Sequence, residues 1–141
     1  MMLNRDLIRE RCEEIEDSCK RLEQIRSSMT RDRFLNDRDA QDIASYRLLV
    51  AIEAALGLCY HVSAKQLKKV PEEYAECFGI LGEAGLIPAD LSERMKKTAR
   101  FRNLLVHLYW KVDYSAVYDI LGGSLGDLRR FSGIIARLAG D

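Results

Sequence analysis

The chain has 141 residues, of which 48% are hydrophobic and 31% charged, and only two are prolines. This length is typical of one domain, so we expect a single domain over residues 1–141. The composition is that of a compact protein rich in helix formers and excludes a disordered or collagenous chain. Because 22 basic residues balance 22 acidic ones, no overall field draws the chain to a polyanion. Any such attraction must be local.

No segment is expected to cross a membrane or to direct secretion. The longest mainly apolar run, Leu48 to Val62, is shorter than the ~20 residues of a membrane-spanning helix, and it contains Glu53. The N-terminal stretch MMLNRDLIRERCEE is charged from Arg5 onward and lacks the apolar core of a secretory signal. The sequence therefore predicts a cytoplasmic protein.

The cysteines are scattered without any C-x-x-C pair, which favours reduced, buried thiols over a disulfide framework or a zinc site. The sequence also lacks H-E-x-x-H, an EF-hand loop, clustered metal ligands and a G-x-x-x-x-G-K-[ST] loop. We therefore expect no metal and no cofactor. The four cysteines are Cys12, Cys19, Cys59 and Cys77.

The first predicted helix extends from Leu3 to Met29. Apolar or small residues recur there at spacings of three and four, and charged residues occupy nearly all other positions. The polar segment Thr30 to Asp39 predicts a loop or a dense turn. Asn36 or Asp37 is the expected N-cap of the following helix.

The second predicted helix covers about Arg38 to Lys65. It is apolar over much of its circumference between Leu48 and Cys59, which indicates a central helix packed on more than one side. Glu53 lies inside this apolar segment and needs a partner. A third helix, Glu72 to Ala84, is predicted because proline and two carboxylates occupy its first turn, and it should end near Gly85.

Pro88 begins the fourth predicted helix, which extends to Trp110. Asp113 should cap a short helix, Tyr114 to Leu121, interrupted by Gly122-Gly123, and a last helix should run from Ser124 to Leu138. No alternation with a period of two and no internal repeat is visible. The sequence therefore predicts an all-α fold, an up-and-down bundle of about four main helices plus short additional ones.

Polar side chains interrupt the apolar fourth helix in the stretch RFRNLLVHLYW, Arg100 to Trp110. At about 100° per residue, one face should be buried in the bundle. A second apolar stripe on the flank suggests a contact between two copies of the chain, and in a symmetric dimer two Arg102 and two His107 side chains would converge on one cleft. The first face carries Phe101, Leu104, Leu105 and Leu108, and the second stripe carries Val106 and Trp110.

A different face of this helix should form a basic groove wall that includes a histidine. Residues 94–102 contain five basic side chains and no acidic one. Arg102 belongs to neither face: it continues the line of Leu91 and Met95 and should be half buried, with Tyr109 two turns further on. The groove wall consists of Lys96, Arg100, Asn103 and His107.

An arginine and a histidine can cleave RNA without a metal, because the 2′-hydroxyl of RNA supplies the nucleophile. The imidazole of His107 can transfer a proton at neutral pH, and the planar guanidinium of Arg102 matches two phosphate oxygens. Asn103 can orient the imidazole or hold a phosphate oxygen. The residues alone leave two other interpretations open: an interaction surface, or a solvated face on which these side chains cap carbonyls or pair with carboxylates.

The run Arg102-Asn103-Leu104-Leu105-Val106-His107-Leu108-Tyr109 matches R-N-x-L-V-H-x-Y, and Asp113 follows shortly after. This run resembles the signature of the HepT-like branch of the HEPN helical domains. The lead-in GLIPADLSERMKKTARF, the central helix YRLLVAIEAALGLCYHV with Glu53, and the closing LGDLRRFSGII are also similar to that family. The resemblance covers most of the chain from Tyr46 onward, whereas the first helix carries no family marker.

The resemblance implies a dimeric, metal-independent ribonuclease that acts as the toxin of a toxin–antitoxin pair. Its partner would be a small nucleotidyltransferase antitoxin of the MNT type. In the family pattern Arg102 and His107 are the catalytic residues, and Tyr109 is the acceptor to which the antitoxin transfers AMP. Lys96 and Arg100 are candidate RNA contacts beside them.

Two alternatives remain at this point: a non-catalytic helical module that partners a nucleotidyltransferase, and a helical nucleotide-binding domain. A helical module would bind the enzyme without cleaving RNA. His61 is expected to be a surface or capping histidine. Aromatic side chains available for stacking on RNA bases are Tyr46, Tyr60, Tyr109 and Trp110.

Overall fold

The computed structural model describes residues 3–107 and 111–140, and all regular structure in these ranges is helical. The predicted all-α bundle is confirmed. A central helix, α3, packs against every other described helix, so the core surrounds it. The helices are α1 (Arg5–Ser28), α2 (Arg31–Leu35), α3 (Arg38–Gln66), α4 (Tyr74–Glu83), α5 (Ala89–His107) and α6 (Tyr114–Leu138).

Helix α1 is the amphipathic helix that the sequence predicted. Asn4 caps its N-terminus, since the side-chain oxygen of Asn4 accepts a hydrogen bond from the Leu7 backbone N–H at 3.1 Å. Its apolar stripe lies against α3 and α6. The buried residues of this stripe are Ile8, Ile15, Cys19, Leu22 and Ile25.

The segment expected to be a loop contains the short helix α2. The Thr30 side chain caps it by accepting from the Arg33 backbone N–H at 3.3 Å. Phe34 is completely buried, with its ring against those of Tyr114 and Tyr118 at centroid distances of 6.4 and 5.6 Å. A single buried aromatic residue in a polar segment gives no periodicity, which explains why the pattern did not predict this helix.

Helix α3 begins after Asp37, whose carboxylate accepts from the Ala40 backbone N–H at 3.0 Å. One of the two expected N-caps is therefore confirmed. By length and composition alone α3 is long and apolar enough to cross a bilayer, with a mean hydropathy of 1.5 over its most apolar window. Half of that window is buried inside the bundle, and the core helix of a bundle passes the same test.

Helices α4 and α5 form a hairpin around Gly85. This glycine has a φ of 75°, and the Leu86 backbone N–H donates to the Leu81 carbonyl at 3.0 Å, which closes the end of α4. Ser92 of α5 then donates to the carbonyl of Phe78 in α4 at 2.9 Å. These contacts fix α5 beside α4, and so place the polar face of α5 next to the N-terminus of α4.

Helix α6 is continuous, so the predicted interruption at Gly122-Gly123 is wrong. The Asp113 carboxylate caps the helix through the backbone N–H groups of Ser115 and Ala116, as expected. Two glycines cost roughly 1 kcal/mol each in a helix interior, which burial of one continuous apolar face can offset. That face includes Val117, Leu121, Leu125, Leu128, Phe131 and Ile135.

The expectation for the apolar face of α5 is only partly met. Leu105 is buried and Phe101 half-buried, but Leu104 is 46% exposed. The buried line of α5 starts at Leu91, and Leu104 lies about 140° away from Leu91 around the helix at about 100° per residue. Leu104 therefore points out of the bundle. The remaining member of the expected face, Leu108, is outside the described residues.

Candidate functional site

A groove lies between the polar face of α5 and the N-terminus of α4. Three of the four residues expected on one wall, Arg100, Asn103 and His107, do line it. They share this wall because their spacing places them about one turn apart on one side of a helix. The groove has a volume of about 590 Å³, and its other lining residues are Tyr60 of α3 and Glu72, Glu73, Tyr74 and Ala75.

Arg102 lies behind this wall and is held by side chains from three helices. Its Nε donates to the carboxylate of Glu53 on α3, and its Nη1 donates to the Asn103 side-chain oxygen at 3.3 Å. Its guanidinium carbon lies 4.4 Å from the centre of the Tyr74 ring, a cation–π contact. The side chain of Arg102 is 13% exposed. The expectations of a half-buried arginine and of a partner for Glu53 are both confirmed.

The contact with Arg102 fixes the orientation of the Asn103 amide. A guanidinium offers only N–H donors, so Asn103 must present its oxygen to Arg102. Its amide nitrogen is then directed away from Arg102. Asn103 thus links the buried arginine to the groove and keeps two donor hydrogens for a ligand there.

An aromatic pair forms part of the opposite wall. The rings of Tyr60 and Tyr74 meet edge to face, with centroids 6.1 Å apart. Burial raises the pKa of Tyr60 above its ordinary value, with smaller contributions from neighbouring groups. Tyr60 was a stacking candidate, whereas Tyr74 was missed. Its sequence context, the start of a predicted helix, gave no sign that it would stack on Arg102, which lies on another helix.

The sequence predicted a basic groove wall, but the groove as a whole also contains acidic residues. Glu72 and Glu73 line the groove together with Arg100, so it holds charges of both signs. Lys96 is not among the lining residues. Its ammonium pairs with Glu93 at 2.9 Å, and its side chain lies over Gly79 of α4.

His107 is exposed and is the last residue of α5. Both Arg102 and His107 therefore adjoin the groove, Arg102 through Tyr74 and Asn103 and His107 directly. The predicted modification site, Tyr109, and the predicted dimer contact, Trp110, lie outside the described residues.

The remaining sequence candidates have structural roles. The Nε2 atom of His61 accepts a hydrogen bond from the Asn4 backbone N–H at 2.9 Å, so the expected capping histidine is confirmed. Tyr46 lies elsewhere on α3, near Arg47. All four cysteines are free thiols, three of them buried, and burial raises the pKa of Cys19 to about 11. Among the residues that the structure describes, no three His, Cys, Asp or Glu side chains form a cluster able to hold a metal.

A second, more enclosed cavity of about 340 Å³ lies between α3, α5 and α6. Its walls are mostly apolar, with Ile52, Phe101 and Ile120 prominent, and it contains neither histidine nor cysteine. Proton transfer at neutral pH is therefore better served by the groove beside His107.

Comparisons with known proteins identify the family of the chain. The family described as ribonuclease HepT-like matches residues 15–135. Over 130 residues the chain is 26% identical to the mRNA nuclease HepT of Shewanella oneidensis, covering 92% of this chain and 96% of that protein. The matched region contains every residue that lines the groove.

Solved structures show the same similarity. The tri-AMPylated HEPN toxin of Shewanella oneidensis, in complex with MNT antitoxin, is 26% identical with a TM-score of 0.84, and the match covers 92% of this chain and 96% of that one. A toxin–antitoxin complex with AMP-PNP is 25% identical with the same TM-score, covering 92% and 98%. YutE of Bacillus subtilis, a cytosolic protein, shares only the fold, at 17% identity and a TM-score of 0.83. The chain belongs to the ribonuclease HepT-like family.

Proposed function

We propose that this protein is an endoribonuclease toxin of a HEPN/MNT toxin–antitoxin system that cleaves RNA without a metal. Membership of the HepT-like family over residues 15–135 is the observation that carries this proposal. The relative from Shewanella oneidensis is an mRNA nuclease. The groove beside His107 supplies the polar groups that such a reaction needs.

In the proposed reaction His107 accepts the proton of the 2′-hydroxyl. The 2′-oxygen attacks the adjacent phosphorus and the bond to the 5′-oxygen breaks, which leaves a 2′,3′-cyclic phosphate. The leaving 5′-oxygen takes a proton from water and becomes a 5′-hydroxyl, and His107 returns its proton to the solvent. A positioned proton acceptor of this kind contributes typically ~100- to 10,000-fold. The exposed position of His107 at the edge of the groove leaves room for a phosphodiester strand.

Arg102 is proposed to stabilise the negative charge that develops on the phosphorane oxygens. Glu53 and Asn103 engage its Nε and Nη1 atoms, and both N–H groups of Nη2 have no hydrogen-bond partner among the described residues. These groups can donate to phosphate oxygens. Asn103 would add a further donor beside the phosphate, and Arg100 would hold the adjoining backbone. The pairing of Lys96 with Glu93 makes Lys96 a more distant RNA contact.

The active form is proposed to be a homodimer. Leu104 and Val106 are exposed apolar side chains on α5, within the same turns as Arg102 and His107. Covering these side chains with a second copy would bury apolar surface and bring two sites together.

The antitoxin is proposed to be an MNT-type nucleotidyltransferase that transfers AMP to Tyr109. The bulk and negative charge of AMP so close to the motif would then exclude an RNA strand.

The nuclease proposal is tested with purified protein and labelled RNA in the presence of EDTA. Wild-type protein should cleave the RNA and leave cyclic phosphate ends. His107→Ala and Arg102→Ala should remain folded, judged by circular dichroism, and lose cleavage by at least about 100-fold. Lys65→Ala, on the exposed end of α3, serves as a matched control that should cleave normally. Loss of cleavage on chelation, or cleavage by both active-site variants, would contradict the proposal.

The antitoxin proposal is tested by intact mass after co-expression with an MNT-type nucleotidyltransferase. Mass increments of one AMP unit should be present in the wild type and absent in Tyr109→Phe. Stable binding of the enzyme, without cleavage of RNA by the unmodified protein, would instead identify a non-catalytic binding module.

A further inference from the structure

We propose that the wall of the groove formed by Tyr60, Glu72, Glu73 and Tyr74 is a nucleobase subsite that favours guanine. This inference rests on the proposed ribonuclease function and specifies which nucleotide sits beside the cleaved bond. It comes from the chemical difference between the two walls of the groove.

The wall on α5 presents hydrogen-bond donors. Arg100 has a guanidinium. The Asn103 amide nitrogen is directed away from Arg102, because the Asn103 oxygen accepts the hydrogen bond from Arg102. Donors and positive charge suit phosphate oxygens. An RNA backbone should therefore follow α5, and its bases should point to the other side of the groove.

The opposite wall presents acceptors that repel phosphate. Within residues 3–107 and 111–140, neither the Glu72 nor the Glu73 carboxylate has a hydrogen-bond or ion-pair partner, and both side chains are exposed. Glu73 precedes α4 without capping it. Neither carboxylate is held by another described side chain, and both line a groove whose other wall carries Arg100. Such acceptors match the N–H groups of a base.

Tyr74 provides a surface on which a base can stack. Arg102 covers one side of its ring, Tyr60 meets it edge to face, and the residue is still 37% exposed. The two neighbours hold the Tyr74 ring in one orientation. Stacking of a base on it therefore costs little conformational entropy of the tyrosine side chain. Stacking of a base on an aromatic ring is worth several-fold to about 100-fold in affinity and does not itself distinguish bases. Selection must then come from the carboxylates.

Guanine is the base that best matches a carboxylate. Its Watson–Crick edge carries two adjacent donors, N1–H and the N2 amino group, which can donate to the two oxygens of one carboxylate. Adenine and cytosine place a ring acceptor beside their amino group, and uracil flanks its single N–H with two carbonyls. Those acceptors repel a carboxylate. The order of preference should therefore be guanine first and uracil last.

The test uses the full chain and short uridine strands that carry one guanine, inosine, adenine or cytosine. Cleavage beside guanine should exceed cleavage beside uracil by roughly tenfold or more in kcat/KM, the discrimination expected of one bidentate contact. Inosine, which lacks the N2 amino group, should lose most of this advantage. The double variant Glu72→Gln, Glu73→Gln should bring the guanine-to-uracil ratio close to one. Glu83→Gln, at the far end of α4, should keep the wild-type ratio.

Binding of the same strands with 2′-O-methyl groups reads the subsite independently of catalysis, because these strands lack the nucleophile. Guanine strands should bind more tightly than uridine strands to wild-type protein and to Glu83→Gln, but not to the double variant. Absence of cleavage with preserved guanine preference would overturn the nuclease function and leave the subsite standing. Equal binding of guanine and uridine strands, or a preference that survives in the double variant, would overturn the subsite.

Discussion

Arg102 occupies its position because three helices each contribute one neighbour. Glu53 from α3 neutralises its charge, Tyr74 from α4 covers its flat face, and Asn103 from α5 bridges it to the groove. A guanidinium that is 13% exposed would be costly to bury without such partners. The same contacts reduce the rotamer freedom that a long side chain would otherwise lose on binding phosphate.

Replacing Glu53 with glutamine should impair the proposed reaction more than it impairs folding. The variant keeps a hydrogen-bond acceptor but loses the charge that holds Arg102, so kcat should fall by roughly tenfold. The free energy of unfolding should change by less than about 1 kcal/mol, because the Glu53 side chain is 45% exposed.

Steady-state cleavage kinetics and urea unfolding measure the two effects of Glu53→Gln. Asp42→Asn is the matched control, since it removes an exposed ion pair with Arg38 on the same helix. It should alter neither quantity appreciably. Equal losses of kcat in both variants would show that the charge of Glu53 has no specific role.

His61 should make stability depend on pH. Burial, and then the charge of Lys65, lower its pKa below the ordinary 6.5, and its neutral Nε2 accepts from the Asn4 backbone N–H. Because the unfolded chain binds a proton at His61 more readily than the folded chain, neutral His61 adds to the free energy of unfolding above pH 6.5. This addition is lost as the pH falls through the lower folded-state pKa.

Urea unfolding of wild type at pH values on either side of 6.5 should show this loss, limited to the ~1 kcal/mol of one hydrogen bond. His61→Gln keeps an acceptor and should flatten that part of the profile. Carboxyl groups whose pKa is lowered, such as Glu23 and Asp90, change the free energy of unfolding only at lower pH. An unchanged profile in the variant would exclude the cap as the cause.

At the scale of elements, α6 shows how tertiary burial can override local signals. Gly122 and Gly123 are poor helix residues, yet the helix continues through them because its buried face extends on both sides. The two glycines differ in their surroundings. A Cβ on Gly122 would lie 2.9 Å from the Arg26 guanidinium, whereas a Cβ on Gly123 would meet nothing within 4 Å.

Gly123→Ala should therefore stabilise the protein by about 0.5–1 kcal/mol, because alanine lowers the entropy of the unfolded chain without a steric conflict. Thermal unfolding should show a rise of a few degrees. Gly122→Ala should gain less or lose stability, since Arg26 stacks on Tyr118 at 4.0 Å and donates to its carbonyl. Equal gains in both variants would contradict this steric explanation.

At the scale of the whole molecule, α5 has two functions on different sides. Its buried line joins it to α3, α4 and α6, and its polar side lines the groove. The exposed Leu104 and Val106 belong to neither set. Exposed apolar residues on a helix that carries the proposed site are typical of a surface covered by a partner.

Leu104→Arg should dissociate the proposed homodimer, because it places a charge in the apolar contact. Light scattering should give the dimer mass for wild type and the monomer mass for the variant, with cleavage reduced at least tenfold. Leu35→Arg is the control: Leu35 is similarly exposed at 40%, lies at the end of α2, and should leave the dimer intact. A monomeric wild type, or a dimeric Leu104→Arg, would refute this interface.

The sequence by itself determined the properties that depend on neighbours along the chain. Spacings of three and four residues, the Asp37 and Asp113 caps and Gly85 defined most helices and placed Arg100, Asn103 and His107 on one wall. The family motif in the same stretch pointed to ribonuclease activity. These features are local, since one turn of helix fixes the relative direction of its side chains.

Only the tertiary structure decided which residues contact Arg102 and which residues face that wall. Glu53 is 49 residues from Arg102 along the chain. Tyr74 begins α4, whereas Arg102 lies near the end of α5, the second helix of the same hairpin. The exposure of Leu104 and the continuity of α6 likewise depend on which helices pack together. Helical periodicity specifies the direction of each side chain around its own helix axis, but not the angle or distance at which two helices pack. The acidic and aromatic wall could therefore not be predicted from the sequence.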